Sequence, residues 1–518
     1  MSELKRLIAA LSEVAAYPEP IREVELVQTQ MSAVFLAGEY AYKIKKPVDL
    51  GYVDYTLLER RRYFCEREIV LNRRLCPGAY LGVVPITLDG HQLVMEGMGH
   101  PVEYAVKMRR LPGEQLLDKL LKQDKVTPEM MALVASRLVS FHLNAATDNE
   151  ITRYGLPEAI TRNAEENFAQ TEKYIGQALS RKQWTMVRDY TQHFIQENSP
   201  LFARRLRESH IRDCHGDLHA QHICFCHDLC IFDCIEFNDR FRYSDTAAEV
   251  AFLAMDLERN GRADLADHFV AAYTAESRDG DLVQLMSFYK GYRAYVRGKV
   301  NCFKLDDPCM PESDRLEALA TAQGYFDLAA AYARPRPLLV AMMGFVGSGK
   351  TTTARELAGR LGAIYLSSDI TRKKLAGIPL TEHCYRQGED GLYSDEFTRR
   401  TYDALYREAA DALSQGHHVI LDGAFLKARE RAASKEVAVR AGADYYALEC
   451  RTAAETIRKR LIARLTQDTI SDGHWGIYLK QQAWFEAPEP GELGHIAVDT
   501  SQPLAQNVRW VLIQVLEV

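Results

Sequence analysis

The pattern of apolar and polar residues separates a first part of the chain, in which strands precede helices, from a second part in which the two alternate. Apolar residues at helical spacing predict an amphipathic helix over residues 1–16. Strand patterns follow over 24–45, with a turn at Gly38-Glu39, and again over 80–96 and 103–109. Most of the remaining first part has helical patterns. Strands followed by helices predict an α+β domain with two lobes.

The boundary between the two parts lies at Arg334-Pro335-Arg336-Pro337, where two prolines in four residues end a helical pattern. Residues 338–343 then form a continuous apolar run of strand length, which is typical of a buried parallel strand. Further apolar strands alternate with helical patterns, at 363–367, 418–421 and 444–449. This order predicts an α/β domain with a parallel sheet. We therefore predict one domain over residues 1–333 and another over 337–518.

Length, charge and composition narrow the class of protein. A chain of 518 residues is longer than one hydrophobic core usually supports, which agrees with two domains. The net charge of −7 argues against a general binder of nucleic acids or anionic membranes. The N-terminal segment lacks a secretory pattern, and no apolar run reaches the roughly 18–20 residues that cross a bilayer. We therefore expect a cytoplasmic protein whose eleven cysteines stay reduced.

Sulfur and imidazole side chains cluster in one short stretch of the first part, at His222, Cys224, Cys226, Cys230 and Cys234. A zinc site is one interpretation, but the spacing lacks the paired C-x-x-C motifs that make such a site recognisable. The interpretation that we favour is a short hairpin that carries small buried thiols, because free cysteine is often a core residue.

A glycine-rich loop follows the first apolar strand of the second part. Residues 344–351 match the pattern G-x-x-x-x-G-K-[ST] in full, between an apolar strand and a helical pattern. Glycines let backbone N–H groups surround phosphates, and the N-terminus of the following helix adds partial positive charge. Lys350 would reach the β- and γ-phosphates of a nucleotide, and the Thr351 hydroxyl would hold Mg²⁺. The predicted nucleotide-binding residues are Gly344, Gly347, Ser348, Gly349, Lys350, Thr351 and Thr352.

Three charged residues of the second part add candidate chemistry to this loop. Asp422 ends an apolar strand and could hold Mg²⁺, or it could cap a helix instead. Asp369 ends another strand and could accept a proton from an attacking hydroxyl, while Arg372 could bind an anionic group one helical turn later. With these residues, 337–490 resembles the polynucleotide-kinase and zeta-toxin-like branch of P-loop kinases. The resemblance implies that Asp369 is the general base and that Arg372 binds a substrate phosphate.

The same resemblance extends to a helical segment at 455–464, which would form a lid. In such kinases this segment supplies an arginine to the transferring phosphate, and the preferred candidate here is Arg464, followed by Arg460. A solvated basic helix face is the alternative for either arginine. The resemblance also includes Ser471-Asp472-Gly473, where relatives often have Ser-Asp-Ala.

A second candidate site lies in the first part of the chain. His215-Gly-Asp217-Leu-His219 is followed by the apolar segment Ile231-Phe-Asp233. These segments resemble the catalytic loop and the metal-binding strand of aminoglycoside phosphotransferases and choline-kinase-like enzymes, which share the protein-kinase fold. The resemblance implies that Asp217 orients or deprotonates a substrate hydroxyl, and that Asp233 binds Mg²⁺ at the nucleotide phosphates.

His222 departs from the pattern of that family. The family has Asn five residues after the catalytic Asp, as a second Mg²⁺ ligand, whereas this chain has His222. A neutral imidazole binds Mg²⁺ poorly, because that ion prefers oxygen ligands. His222 could therefore bind a softer metal, contact a phosphate, or mark a site with weakened activity.

The strand-rich segment supplies the remaining parts of a kinase-like small lobe. Lys43 resembles the lysine that pairs with nucleotide phosphates, and Glu68 lies where a helix would supply the ion-pair partner of that lysine. Lys45 is an alternative to Lys43, because strand side chains repeat every two residues, and Glu66 is a weaker alternative to Glu68.

Two further segments of this lobe would meet the nucleotide. Thr29 and Ser32 lie in the turn that would cover the phosphates in place of a glycine loop, and 103–109 resembles the hinge strand that would meet the adenine. Residues 20–330 as a whole resemble one half of the two-domain proteins described as bifunctional aminoglycoside phosphotransferase/ATP-binding proteins. That description reflects the fold and does not identify an antibiotic as the substrate.

The two candidate sites predict a phosphotransferase that uses ATP and Mg²⁺ at two nucleotide sites and transfers the γ-phosphate to hydroxyl groups of a small-molecule or phosphorylated substrate. Two alternatives stay open. One half could be a pseudokinase that regulates the other, as His222 suggests, or the second part could be a nucleic-acid 5′-hydroxyl kinase. The acidic charge and the lack of an aromatic and basic strip argue against the last function, and we expect no membrane partner. The sequence does not indicate the substrate or the oligomeric state.

Overall fold

The computed structural model of the protein describes residues 3–90, 92–226, 228–308, 310–380, 392–464, 473–489, 492 and 494–516. The chain divides into two compact units. The first unit comprises Met1–Arg162, Ile195–Asp256 and His268–Met286, and the second comprises Asn163–Phe194, Leu257–Asp267 and Ser287–Val518. Part of the helical region of the first predicted domain thus belongs to the same unit as the P-loop region, and a domain division at 334–337 stays a prediction. Within the described ranges, no helix combines the length and the apolar character needed to cross a membrane.

A six-stranded antiparallel sheet dominates the N-terminal part of the first unit, in the order β1-β2-β3-β6-β4-β5. Its strands are β1 (Val24–Gln28), β2 (Ser32–Ala37), β3 (Tyr40–Lys45), β4 (Tyr80–Asp89), β5 (Gln92–Met95) and β6 (Pro101–Arg109). The predicted turn at Gly38-Glu39 joins β2 to β3. This sheet, with the helices that follow it, confirms the α+β fold predicted for the first part.

The two faces of this sheet pack against different helices, because successive strand residues point in opposite directions. Tyr42 belongs to a core that includes α1 (Glu3–Leu11). Lys43 lies opposite Val106 in the ladder between β3 and β6, and Val106 packs against α2 (Leu58–Asn72). The period of two therefore directs the lysines of β3 towards α2.

The rest of the first part is mainly helical. Its helices are α3 (Leu117–Lys122), α4 (Pro128–Asn144), α5 (Asn149–Thr152), α6 (Pro157–Thr171), α7 (Arg181–Glu197), α8 (Ser199–Arg207), α9 (Thr246–Arg259), α10 (Ala263–Ser277), α11 (Leu282–Lys304) and α12 (Glu312–Tyr332). Its strands are β7 (Ile211–Asp213), β8 (Ile223–Phe225), β9 (Leu229–Ile231) and β10 (Tyr243–Asp245). β7 pairs with β10, and β8 pairs with β9, both antiparallel.

The β8–β9 pair is the hairpin that we favoured for the cysteine-rich stretch. Cys230 on β9 forms a disulfide with Cys76, so the expectation that every cysteine stays reduced is wrong for this pair. A bonded sulfur is not a thiolate and cannot join Cys224 and Cys234 as a zinc ligand. Burial raises the pKa of both Cys224 and Cys234 to about 12, which keeps these thiols neutral. The cysteines of the stretch therefore act as core residues and as a covalent link to the segment that follows α2.

A five-stranded parallel sheet forms the C-terminal part of the second unit, in the order β12-β13-β11-β14-β15. Its strands are β11 (Leu338–Met343), β12 (Ile364–Ser367), β13 (Val419–Asp422), β14 (Asp444–Arg451) and β15 (His495–Asp499). The helices are α13 (Lys350–Leu361), α14 (Ser368–Ala376), α15 (Asp395–Ser414), α16 (Ala428–Arg440), α17 (Ala454–Arg464), α18 (Trp475–Trp484) and α19 (Leu504–Val515). Every residue of the central strand β11 is buried, as its apolar sequence predicts. The α/β fold predicted for the second part is confirmed.

Candidate functional site

The loop that carries Asp217 is held by Glu249, a fully buried residue of α9. The backbone N–H groups of His215 and Gly216 donate to the Glu249 carboxylate at 2.7 Å each. Gly216 has a φ of +89°, and a Cβ at this position would lie 2.9 Å from the carbonyl oxygen of Phe241. The turn therefore requires glycine, and together with the carboxylate it sets the direction in which the chain reaches Asp217.

Glu249 is ionised although it is buried. Burial alone would raise its pKa, but the hydrogen bond and electrostatic interaction with His142, with further contributions from His215, lower it to about 2. The ring of His142 bridges the Glu249 carboxylate, at 2.8 Å from Nε2, and the Tyr273 hydroxyl, at 2.7 Å from Nδ1. Burial lowers the pKa of the neighbouring His215, whose Nε2 donates to the carbonyl of Phe232 at 2.9 Å. The loop thus rests on one buried negative charge.

Lysine and carboxylate side chains form a network in the same unit. Lys43 Nζ lies 2.9 Å from Glu68 Oε1 and 2.6 Å from Asp233 Oδ1. Lys45 Nζ lies 2.8 Å from the other oxygen of Glu68 and also pairs with Glu236. The two lysines that we weighed as alternatives therefore share one carboxylate. Lys43 is the lysine that the structure brings to Asp233, while Lys45 is enclosed with Glu236.

Asp233 occupies a constrained position between Lys43 and His222. Its φ of +63° lies in the left-handed region, which Asp tolerates better than most residues, and its N–H donates to the Tyr80 hydroxyl at 3.1 Å. Burial opposes ionisation, but the charge of Lys43 holds the pKa of Asp233 well below its usual range. Asp233 is therefore a carboxylate, with Oδ1 on Lys43 and Oδ2 at 3.5 Å from His222 Nε2.

His222 lies between Asp217 and Asp233, in a one-turn 3₁₀ helix at Ala220–His222. Its Nδ1 is 2.9 Å from the carbonyl oxygen of Asp217, which can only accept, so Nδ1 carries the hydrogen. Burial, followed by the proximity of His219, lowers the pKa of His222 to about 4, and the ring is neutral near pH 7. His219 Nε2 lies 3.5 Å from Asp217 Oδ2, and the two imidazole rings are 4.0 Å apart between centroids.

The turn between β1 and β2 closes on itself. Thr29 Oγ1 lies 2.9 Å from Ser32 Oγ and accepts a hydrogen bond from the Ser32 N–H at 3.0 Å. Ser32 is buried, and its part in nucleotide binding stays a prediction. Of the two glutamates weighed on α2, Glu68 is fully buried against the lysines of β3, whereas Glu66 forms an exposed ion pair with a neighbour on its own helix. The structure brings Glu68 to the site.

In the second unit, the glycine-rich loop joins β11 to α13. Gly344 has a φ of +137°, and a Cβ there would lie 2.6 Å from the carbonyl oxygen of Cys450 on β14. Gly349 has a φ of +95° and caps α13, a conformation that L side chains rarely adopt. Lys350 begins α13 and donates from Nζ to the carbonyl of Phe345 at 2.7 Å. The lysine therefore folds back over the loop that precedes it.

Asp422 lies at the carboxyl end of β13 and contacts two hydroxyl groups. Its Oδ2 accepts from Thr351 at 2.7 Å and from Tyr365 at 2.6 Å. Because β13 runs between β11 and β12, this carboxylate reaches the start of α13. Hydroxyl and carboxylate oxygens are the ligands that Mg²⁺ prefers, so Thr351 and Asp422 fit that ion. In the first unit, Asp233 also offers oxygen, but the nitrogen of His222 does not fit Mg²⁺.

Asp369 lies in the first turn of α14, two residues beyond the end of β12. The prediction of a strand-terminal Asp is therefore wrong in its local structure, because Ser367 ends the strand and caps the helix by accepting from the Ile370 N–H at 3.5 Å. Ser367 pairs with Asp422 in the sheet, so Asp369 follows at the same edge as the candidate Mg²⁺ ligands. Its role as general base stays a prediction.

Arg372 on the same helix is buried among residues that precede and begin α15. Its Nη1 donates to the carbonyl of Leu392 at 2.5 Å and to the Thr398 hydroxyl at 3.2 Å, and its guanidinium lies 4.7 Å from the ring centroid of Tyr393. Within the described ranges its Nε is buried without a hydrogen-bond partner. Arg372 thus has two protein acceptors in this structure, and its binding of a substrate phosphate stays a prediction.

Helix α17 brings Arg460 to the glycine-rich loop. Arg460 Nη2 donates to the carbonyl of Thr500 at 2.7 Å, and Nη1 lies 3.5 Å from the carbonyl of Gly347. Thr500 in turn donates from its hydroxyl to the carbonyl of Ser348 at 2.6 Å. Arg464 ends α17, and its side chain lies outside the described residues, as do Ser471 and Asp472. The roles of both arginines in transfer stay predictions, as does that of Thr352 in the first turn of α13.

Several residues that hold these sites carry no motif, and sequence reasoning missed them. They are Glu249, Glu236, Tyr80 and Thr500. Glu249 was recognisable in the sequence, because it is the one charged residue in the otherwise apolar segment Ala247–Leu253 at the start of α9. A charge at a buried helix position usually has a fixed partner, and this rule would have pointed to it.

The chain is similar to known proteins in both of its parts. Residues 65–285 match the phosphotransferase enzyme family, and residues 339–488 match the AAA domain family. The chain is 30% identical over 489 residues to the uncharacterized protein Rv2004c of Mycobacterium tuberculosis (strain ATCC 25618 / H37Rv), which covers 94% of both chains. A shikimate kinase of Moorella thermoacetica (strain ATCC 39073 / JCM 9320) is 41% identical over 77 residues, or 15% of this chain and 44% of the kinase. The Plasmodium vivax ethanolamine kinase Pv091845 aligns with a TM-score of 0.35 and 14% identity, over 59% of this chain and 81% of the kinase.

Proposed function

Since the chain belongs to the family, shared with Rv2004c, that joins a phosphotransferase-enzyme-family domain to a P-loop kinase domain, we propose that it transfers phosphate from ATP at two separate sites. The acceptors are hydroxyl groups of a small-molecule or phosphorylated substrate. Families of this kind generally use ATP and Mg²⁺. One observation carries the proposal: Lys43 contacts the carboxylate of Asp233 in the first unit, and Thr351, next to Lys350 in the chain, contacts the carboxylate of Asp422 in the second.

In the first unit, Lys43 would bind the nucleotide phosphates, held in position by Glu68. Asp217 would orient the acceptor hydroxyl and take its proton, on the loop that Glu249 fixes. Asp233 would hold the metal ion, which neutralises charge on the phosphates when it is bound. The contact between Lys43 and Asp233 keeps the lysine and the metal ligand within one hydrogen bond of each other.

In the second unit, backbone N–H groups of the glycine-rich loop and Lys350 would bind the phosphates. Thr351 and Asp422 would hold Mg²⁺ through oxygen. Asp369, at the same sheet edge, would take the proton of a second acceptor hydroxyl. Arg372 would bind an anionic group of that acceptor, and Arg460, against the loop, would stabilise the transferring phosphate.

The test is a phosphorylation screen. Full-length protein is incubated with labelled ATP and a metabolite extract, and products are identified by mass spectrometry. Asp217→Asn should lower formation of one set of products by about 100-fold or more, and Asp369→Asn should do the same to a different set, which is the usual size of general-base effects. The exposed carboxylates Asp228 and Asp411 provide matched Asp→Asn controls in the same units, and these variants should keep full activity.

The outcomes separate the sites. If Lys350→Ala and Asp369→Asn lose all products while Asp217→Asn loses none of them, the second unit alone transfers phosphate. The opposite pattern would leave transfer to the first unit. If all three variants form every product at the wild-type rate, the proposal is refuted.

His222 supports a second candidate function, in which the first unit binds nucleotide and regulates the second without transferring phosphate. A residue other than Asn at the metal position is the observation that favours it. In that case Asp217→Asn leaves every product unchanged, while Lys43→Ala alters the rate at which the second unit works. The screen above therefore distinguishes the two functions.

A further inference from the structure

Four side chains with metal-binding atoms meet where the Asp217 loop ends: Asp217, His219, His222 and Asp233. Ligand atoms of the first three all lie within 4.8 Å of one another. Asp233 Oδ2 lies 3.5 Å from His222 Nε2. Mg²⁺ demands a shell of oxygen ligands, which two imidazoles do not provide. Imidazole together with carboxylate instead suits the divalent first-row transition metals.

Hydrogen bonding decides which nitrogen of His222 is available. Nδ1 donates to the carbonyl oxygen of Asp217 at 2.9 Å. In a neutral ring Nε2 then carries no hydrogen and presents its lone pair. Metal-binding histidines are oriented in this way, with the far nitrogen donating to a backbone carbonyl or a carboxylate. The loop that carries Asp217 therefore sets His222 in the tautomer that binds a metal ion through Nε2.

His222 Nε2 points towards the carboxylate of Asp233. Asp233 Oδ2 lies 3.5 Å from it, which is longer than an ordinary hydrogen bond between nitrogen and oxygen. Two ligand atoms, each about 2.1 Å from one tetrahedral ion, lie about 3.4 Å apart, so the observed separation fits a shared ion. Lys43 contacts Oδ1 of Asp233 at 2.6 Å and leaves Oδ2 on the side of His222.

A second cluster in the same unit shows the contrast with a structural group. Ligand atoms of His142, Cys214 and Glu249 also lie within 4.8 Å of one another. There, His142 and Glu249 are hydrogen-bonded to each other at 2.8 Å, backbone N–H groups donate to the same carboxylate, and the Cys214 thiol donates to the carbonyl of Ser244 at 3.5 Å. Donors meet acceptors throughout that cluster. His222 Nε2 and Asp233 Oδ2 instead lie 3.5 Å apart, beyond ordinary hydrogen-bond distance.

We propose that the first unit binds a divalent transition-metal ion of the Mn²⁺-to-Zn²⁺ series through His222 Nε2 and the carboxylate of Asp233, beside the carboxylate of Asp217, which lies 3.6 Å from His222 Nδ1, where the related enzymes use Mg²⁺. The assignment rests on the proposed function, because it names the metal of that phosphate-transfer site. It separates the two units by chemistry: the second unit offers the oxygen donors of Thr351 and Asp422, which fit Mg²⁺.

The test measures binding of Mn²⁺ alone, with no ATP or acceptor present. Full-length protein without a histidine tag is loaded with less than one equivalent of Mn²⁺. Electron spin echo envelope modulation then reports whether imidazole nitrogen is coordinated to the ion. His222→Asn replaces the nitrogen ligand by the oxygen that the family pattern has, and His222→Gln provides a second variant if the first does not fold. Asp422→Asn removes a ligand of the other site and is the matched control.

We expect nitrogen modulation in the wild type and in Asp422→Asn, and its loss in both His222 variants. Mn²⁺ affinity should fall by about 10-fold or more in the His222 variants, and Mg²⁺ in about 100-fold excess should displace Mn²⁺ from them but not from the wild type. Modulation that is absent from the wild type, or unchanged in the His222 variants, overturns the proposal. Nitrogen coordination in a protein that transfers no phosphate would refute the proposed function and leave the metal site standing.

Discussion

Glu249 allows a direct measurement of how strongly the Asp217 loop is held. Gln at this position keeps the shape of the side chain: its amide oxygen can accept from the N–H groups of His215 and Gly216, and its amide nitrogen can donate to His142 Nε2 once the ring carries its hydrogen on Nδ1, towards Tyr273. The lost quantity is the charge. Hydrogen bonds to a charged group contribute about 1 kcal/mol more than neutral ones, so two of them lose about 2 kcal/mol.

The pKa of Glu249 gives a second route to the same magnitude. A drop from 4.5 to about 2 on folding corresponds to about 3 kcal/mol, in agreement with the count of hydrogen bonds. Because the folded pKa is depressed, this contribution is present above the unfolded pKa and is lost as the pH falls from 4.5 towards 2. Glu249→Ala should cost more, about 4 kcal/mol or above, because it leaves two buried N–H groups without an acceptor and opens a cavity.

Hydrogen exchange with mass spectrometry, on peptides that cover residues 211–225, is the appropriate assay. The four tryptophans all lie in the second unit, so their fluorescence would not report on this loop. At pH 7 we expect exchange to accelerate about 30-fold in Glu249→Gln and about 1,000-fold in Glu249→Ala, with no change in the exposed control Glu197→Gln. Equal exchange in Glu249→Gln and the control, or a Gln effect that is undiminished at pH 3, would refute the reasoning.

Three further predictions concern the lysine network, a buried histidine and the glycine-rich loop. Glu68→Ala leaves both lysines of β3 without their shared buried partner, so hydrogen exchange in β3 should show a loss of stability of about 3–5 kcal/mol. Glu66→Ala removes an exposed ion pair and should lower stability by less than about 0.5 kcal/mol. Equal losses in the two variants would contradict the assignment of Glu68. Burial lowers the pKa of His418 to about 4, so the free energy of unfolding of the second unit should fall by about 3 kcal/mol as the pH falls from 6.5 to 4. Urea unfolding followed by tryptophan fluorescence should show this fall in the wild type but not in His418→Gln. An identical pH profile in the variant would be inconsistent with this origin. Gly344→Ala forces a Cβ against the carbonyl of Cys450 and should weaken ATP binding about 10-fold or more, as measured by calorimetry. Gly442 also has a positive φ but has open space around it, so Gly442→Ala should leave the affinity for ATP unchanged. Equal affinities in the two variants would exclude the contact with the carbonyl as the cause.

The fold was predictable where the pattern is long or strongly periodic. β11 reads as an uninterrupted apolar strand because both of its faces are covered, and the lysines of β3 alternate with core residues because one face of that sheet packs on α2. β15 was not predicted. It is a five-residue edge strand with a polar side chain at each end, and the small Ala497 stands between its two buried residues, so its sequence shows neither a long apolar run nor a clear apolar-polar alternation. β7 and β10 are too short for any period to show.

The sites were predictable where chemistry requires neighbouring residues in the chain. Asp217 and Lys350 each lie in a short motif, because a loop must bend around a phosphate or an acceptor within a few residues. The residues that hold these loops are distant in sequence and carry no motif of their own, as Glu249 does on α9. Arg372 shows a second limit: the motif predicts where it lies on its helix, but its burial against α15 depends on packing that no local pattern encodes.

The two candidate sites offer different donor sets to a metal ion, and under the proposed function this difference would affect how the two units are controlled. The second unit offers a hydroxyl and a carboxylate to an ion, both oxygen, whereas the first offers a carboxylate pair and the imidazole of His222. Oxygen donors discriminate weakly between Mg²⁺ and Mn²⁺, while a nitrogen donor favours the transition metal. If both units transfer phosphate, the ratio of the two activities is therefore set by which divalent ion is abundant. A chain that joins two such sites can shift its output between two acceptors without any change in ATP.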